Sequence, residues 1–177
     1  MLGPPPALLA AAIAATPSSA PHLQVPPEAF VPLVWGLAGV GSAAVTLVVG
    51  GLWIALAPGY VTRVTDGALE RPGTAFVWGL ALAVGILVGA LLLALTVVGI
   101  VVAFPLLLAF GLFSFLTAEL GFIAIGRAFA EGWGGVLVVA VAAAFLLAIV
   151  PFVGALASFV VGSVGMGAVV VDYWASE

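Results

Sequence analysis

From Ala75 to Gly126 the chain carries one charged residue, Glu119, in an otherwise apolar run. As a single α-helix this run would reach about 75 Å, at about 1.5 Å per residue. The hydrocarbon layer of a bilayer is about 30 Å thick. The run is therefore too apolar for water and too long to cross lipid once, so it has to reverse near its middle. The middle reads TVVGI, residues 96–100. The Thr96 hydroxyl can bond a nearby backbone group, and Gly99 can take a positive φ and close a helix. Two spans are predicted, at about 75–96 and 100–125, with Pro105 in the first turns of the second.

A second stretch, residues 136–171, poses the same problem at about 54 Å. It breaks at IVPFVG, residues 149–154, where Pro151 removes a backbone donor and Gly154 permits an unusual φ. The halves, 135–150 and 152–172, are each near spanning length, the first on the short side. Upstream, residues 30–57 read as one span with Pro32 in its first turn, where proline is tolerated. The polar stretch PGYVTRVTDGALERPGT, residues 58–74, ends it as a loop. The expected fold is all-α: a polytopic integral membrane protein of five transmembrane helices, one helix plus two helical hairpins. It occupies residues 30–174, after a Pro/Ala-rich segment at 1–29 and before a short tail at 175–177.

Composition agrees with lipid as the solvent. The chain is 66% apolar and 6% charged, against about a quarter charged in soluble domains. With no cysteine there is no disulfide frame and no thiolate chemistry. A net charge of −4 offers no basic patch for nucleic acid. In the N-terminal segment, ALLAAAIAA at 7–15 resembles the apolar core of a signal peptide without a basic n-region. It is too short to span. PHLQVPPEAF, from residue 21, reads as an extended linker. His22 is the sole histidine, with no second ligand nearby, and no metal site is expected.

The three basic residues, Arg63, Arg71 and Arg127, all fall in the stretches 58–74 and 126–134, on one side of the membrane by the five-span count. The positive-inside rule puts that side, and the C-terminus, in the cytoplasm. Trp53, Tyr60, Trp78, Trp133, Tyr173 and Trp174 are expected at the same interface, with Trp35 near the outer one. Both reversals then lie outside, without a charge.

Glu119 is the one acid inside a span, and an intramembrane carboxylate is by default a candidate functional group. The plainer expectation is that it reaches the interface or pairs with Arg127 or Arg71. Thr96, Ser114 and Thr117 are candidates for hydrogen bonds between helices. Ala81, Gly85 and Gly89 form a small-residue face, and Gly162, Gly165 and Gly167 another; both are expected to pack helices within the bundle. Glu28 stands at the start of the first helix, where negative charge suits the dipole. Arg63, Asp66, Glu70 and Arg71 read as a solvated, locally paired cluster. No nucleophile–base pair, metal cluster or nucleotide loop stands out, so neither catalytic residues nor a cofactor are expected.

The order ALAPGYVTRVTDGALERPGTAFVWGL, then LTVVGI, then IVPFVG before a Gly-rich helix, resembles a multi-pass prokaryotic membrane domain. That domain often follows bactofilin-like, polymer-forming β-helix repeats. The likeness covers residues 30–172. Its pattern usually has proline directly after the T-x-x-G-I turn, where this chain has Val101. The resemblance implies a prokaryotic plasma-membrane protein that anchors or organises a polymer or complex. The leading expectation is thus a non-catalytic anchor, scaffold or accessory subunit, in contact with lipid and with a protein partner or a second copy. The alternatives are a small-solute or ion pathway using Glu119, and a lipid-facing accessory subunit of an electron-transfer or energy-coupling complex.

Overall fold

A computed structural model describes residues 27–175. The expectations for the signal-like stretch 7–15, His22 and the last two tail residues lie outside the described residues, as does the side chain of Glu28. The chain divides into a unit Met1–Val31 and a unit Pro32–Glu177, and the helical bundle belongs to the second.

The described elements are all helical. They are α1 (Pro27–Val45), a π-helical turn (Thr46–Gly50), α2 (Gly51–Leu56), α3 (Pro58–Glu70), α4 (Pro72–Ala94), α5 (Val97–Phe129), α6 (Trp133–Ile149) and α7 (Val153–Ala175). Four stretches are long and apolar enough to cross a membrane: Val31–Leu56, Pro72–Ala94, Val98–Phe129 and Val153–Ala175. A fifth apolar helix, α6, is shorter, at 17 residues. The molecule is a polytopic helical membrane protein, and both over-long runs do break.

The breaks are made differently from the sequence expectation. At the first, Thr96 is the N-cap of α5, with extended backbone, and its hydroxyl accepts the Gly99 N–H. The same hydroxyl donates to the Leu93 carbonyl at 3.0 Å. Gly99 takes no positive φ. It sits inside the first turn of α5, where an added Cβ would collide with the Leu93 carbonyl. At the second break, the positive φ falls on Phe152, at 58°, and not on Gly154. Gly154 lies within α7, and its missing Cβ admits the Leu147 carbonyl. Pro151 stands in the turn as expected, its carbonyl accepting the Val153 N–H at 2.7 Å.

The polar stretch 58–74 is also not a loop. Pro58 and Pro72 each open a helix at its first position, where a missing N–H costs nothing. Between them α3 buries Val61, Val64, Thr65 and Ala68, the i, i+3, i+4, i+7 stripe of an amphipathic helix. That stripe closes a core with Ala75 of α4, Leu120, Ile123 and Ala124 of α5, Val136 of α6 and Ala168 of α7. Trp53 and Tyr60 pack on its edge with their rings stacked 5.7 Å apart.

Glycines set the closest helix contacts. A Cβ on Gly79 of α4 would strike the Ser163 carbonyl of α7, and one on Gly167 would strike the Ala75 carbonyl. Gly165 meets the Thr117 carbonyl and Gly121 of α5, and Gly162 meets Ala118. The expected packing role of Gly162 and Gly165 is realised. That of Ala81, Gly85 and Gly89 is not: Ala81 and Gly85 are exposed, and nothing lies within 4 Å of a Cβ placed on Gly85 or Gly89. The buried face of α4 is Ala75, Gly79 and Ala90, a face offset from the G-x-x-x-G spacing.

Candidate functional site

Polar side chains gather in two places. The first is the surface where α3 meets the ends of α5 and α7. Arg127, in the last turn of α5, reaches back to α3. Its guanidinium donates to the Thr62 carbonyl at 2.9 Å and to the Thr65 hydroxyl, and pairs with Asp66 at 2.7 Å. Arg63, one turn earlier on α3, grips Asp172 of α7 with both prongs, Nε to Oδ1 at 2.6 Å and a terminal nitrogen to Oδ2 at 3.0 Å. The Arg63 guanidinium also lies 5.4 Å from the Tyr60 ring centre. Burial, then the nearby Asp172 carboxylate, push the Tyr60 phenol above its ordinary value, opposed by Arg63.

These contacts correct the expectation of local pairing, while the Arg63 and Asp66 side chains stay 62% and 48% exposed. Arg63 and Asp66 find their partners on distant helices. Among the described residues, neither Glu70 nor Arg71 is seen in an ion pair; both line a shallow cleft with Asp172.

The second place lies within the apolar helices. Glu119 is 6% exposed and Thr46 fully buried. Each lies ten residues from the end of its apolar stretch, Phe129 for one and Leu56 for the other, about 15 Å of helix. The π-helical turn that Thr46 opens packs on α5, with Gly50 against Ile123, and Glu119 Oε2 and Thr46 Oγ1 are both buried without a hydrogen-bond partner. Glu119 thus pairs with neither Arg127 nor Arg71, contrary to the plainer expectation, because Arg127 is committed to α3.

Two other polar residues of the apolar stretches bond close to themselves in the chain. Thr117 donates to the Phe113 carbonyl of its own helix at 2.8 Å, and Thr96 acts within its turn. Of the three residues expected to bond between helices, Ser114 does so, to Met166 Sδ at 3.6 Å, and Thr96 links the facing ends of α4 and α5. Sequence reasoning misses two participants. Asp172 stands out there only as part of a terminal DYW stretch, and Thr46 only as one polar residue in an apolar span. Trp53, which donates to the Leu116 carbonyl at 3.0 Å, is legible only as an interface aromatic.

Two apolar grooves, of about 530 and 550 Å³, open on the flanks. Neither is lined by Glu119 or Thr46. Trp78 and Trp174 border the first, with ring centres 4.7 Å apart.

A family model described as "Domain of unknown function (DUF8173)" matches residues 5–177. No curated protein and no solved structure matches the chain.

Proposed function

We propose that this chain, which belongs to the DUF8173 family, is a non-catalytic membrane anchor or scaffold. In this reading five apolar helices cross the bilayer, and the face built on α3 holds a protein partner or a second copy in a larger membrane assembly. One observation carries it: α3 is clamped at two places, by Arg127 to Asp66 and by Arg63 to Asp172. An amphipathic helix in that state is a fixed platform, and a loop of equal length would not be.

The charges of Arg63, Arg71 and Arg127 support a cytoplasmic position for this face and for the C-terminus, by the positive-inside rule. The resemblance to the bactofilin-associated membrane domain supports a prokaryotic plasma membrane, with a polymer or complex as the thing organised.

The test is extraction in a gentle detergent after photo-crosslinking from Leu69 and Glu70, on the outer side of α3, with Leu91 on the flank of α4 as the control. Crosslinks to one protein, or to a second copy, from α3 positions and not from Leu91 are expected. A chain that runs as a single copy and crosslinks only to lipid from every position overturns the reading.

A further inference from the structure

We propose that Glu119 and Thr46 form an intramembrane proton-binding site, with the Glu119 carboxyl as the group that takes up and releases the proton and the Thr46 hydroxyl as its polar partner. The scaffold reading neither needs this site nor supplies it.

Thr46 departs from three other helical threonines. Thr62, Thr65 and Thr117 each donate to the carbonyl four residues earlier in their own helix, at 2.9, 2.6 and 2.8 Å. Thr46 does not, and its hydroxyl is fully buried and unpartnered. It opens the π-helical turn, where one residue more than an α-turn is accommodated and the usual bonding to the preceding turn is disturbed. Such turns recur at functional positions. The turn packs on the Glu119 stretch of α5, with Gly50 against Ile123 and Trp53 bonded to the Leu116 carbonyl at 3.0 Å, and Glu119 Oε2 is likewise buried and unpartnered.

An ionised carboxylate left in this position would have no cation beside it, which a low-dielectric surrounding penalises heavily. The charged and titratable groups on the elements packed against α5 are Tyr60, Arg63, Asp66 and Glu70 on α3 and Asp172 and Tyr173 on α7; Arg127 is on α5 itself. Arg127 is held by Asp66, and Arg63 by Asp172.

Neutrality therefore comes from a bound cation. Two side-chain oxygens are a poor ligand set for a metal ion, and no group of three acidic, His or Cys side chains occurs among the described residues. A proton needs only the carboxyl. The event is a plain binding step: the carboxylate takes H⁺ to become the neutral acid, whose O–H can then donate to Thr46 Oγ1. On release, the direction of that bond inverts. A hydroxyl, both donor and acceptor, serves both states.

The experiment uses the full chain in phosphatidylcholine vesicles and dicyclohexylcarbodiimide, a membrane-soluble reagent that adds to protonated carboxyls. The adduct is read by peptide mass spectrometry across roughly pH 5.5 to 9. Glu119 is expected to label at least ~10-fold more than Asp66, Glu70 and Glu131, with labelling that falls as pH rises. Thr46→Val is expected to move the pH midpoint by about one unit, and Thr46→Ser to keep the wild-type profile. Helix content by circular dichroism shows that each variant is folded. Absence of a Glu119 adduct at every pH overturns the proposal, as does a Thr46→Val profile identical to wild type. Protection by sodium chloride, but not by choline chloride, overturns the proton assignment in favour of a metal ion.

Discussion

The Gly99 N–H donates to Thr96 Oγ1 at 2.9 Å, so the residue at which α5 begins also satisfies one of its free backbone donors. Because the same hydroxyl bonds the Leu93 carbonyl, one side chain serves both helix ends of a reversal that has no charge. Helix ends in lipid cannot leave such groups to water. Thr96→Ala is expected to cost about 1 kcal/mol, the usual worth of an N-cap, and Thr96→Ser much less. Equilibrium unfolding in mixed micelles checks this, with hydrogen exchange at Val98 and Gly99 locating the loss.

Gly79 and Gly167 press against each other's helices with no room for a Cβ. Gly79→Val is expected to destabilise the bundle by about 1–3 kcal/mol or more, the range for overpacking a close contact. Gly85→Ala, on the open face of the same helix, is expected to stay within about 0.5 kcal/mol. Thermal melting of both variants in one detergent gives the comparison. Equal losses would contradict the assignment of faces on α4.

Arg127 joins three groups of α3 through one guanidinium. Its ion pair with Asp66, whose side chain is 48% exposed, is screened and worth about 0.2–1 kcal/mol. The bonds to the Thr62 carbonyl and Thr65 hydroxyl are less exposed, so Arg127→Ala is expected to cost more than Asp66→Asn, by about 1 kcal/mol. Lysine cannot reproduce the planar fork, and Arg127→Lys should rescue little. Limited proteolysis within α3 reads the release directly.

Tyr60 supplies a pH signature. Burial holds its phenol above the ordinary value of about 10. A group whose folded value is raised adds stability that is complete below the unfolded value and is lost as pH rises through the folded one. The protein is therefore expected to lose stability on alkaline titration from about pH 10 upward, and Tyr60→Phe to lose less. Near-ultraviolet absorbance should show a late phenolate step, absent in Tyr60→Phe. In Asp172→Asn that step should move to lower pH, because the carboxylate that opposes ionisation is gone and Arg63 remains.

Chain length against bilayer thickness is enough to place both reversals. Thr96 and Pro151 are visible because hydroxyl capping and a missing N–H are local properties of a residue. Gly99 and Gly154 mislead for a related reason: a glycine signals either free φ or close approach, and only the fold tells which. The α3 stripe at 61, 64, 65 and 68 is present in the sequence, masked by the flanking Pro-Gly pairs that suggest a loop. The partners of Arg63 and Glu119 are not legible. Arg63 and Asp172 are 109 residues apart, and no period or motif relates them. The π turn at Thr46 has no sequence signature of its own.

Helix α6 is 17 residues long, about 25 Å. On the five-crossing reading it is shorter than the lipid around it by about 5 Å. Val138 and Leu146 on its outer side are exposed, so the acyl chains along that flank must dip to meet them. A protein with one pinched flank gathers in the thinner patches of its bilayer, and two such flanks attract each other because sharing the dimple deforms less lipid.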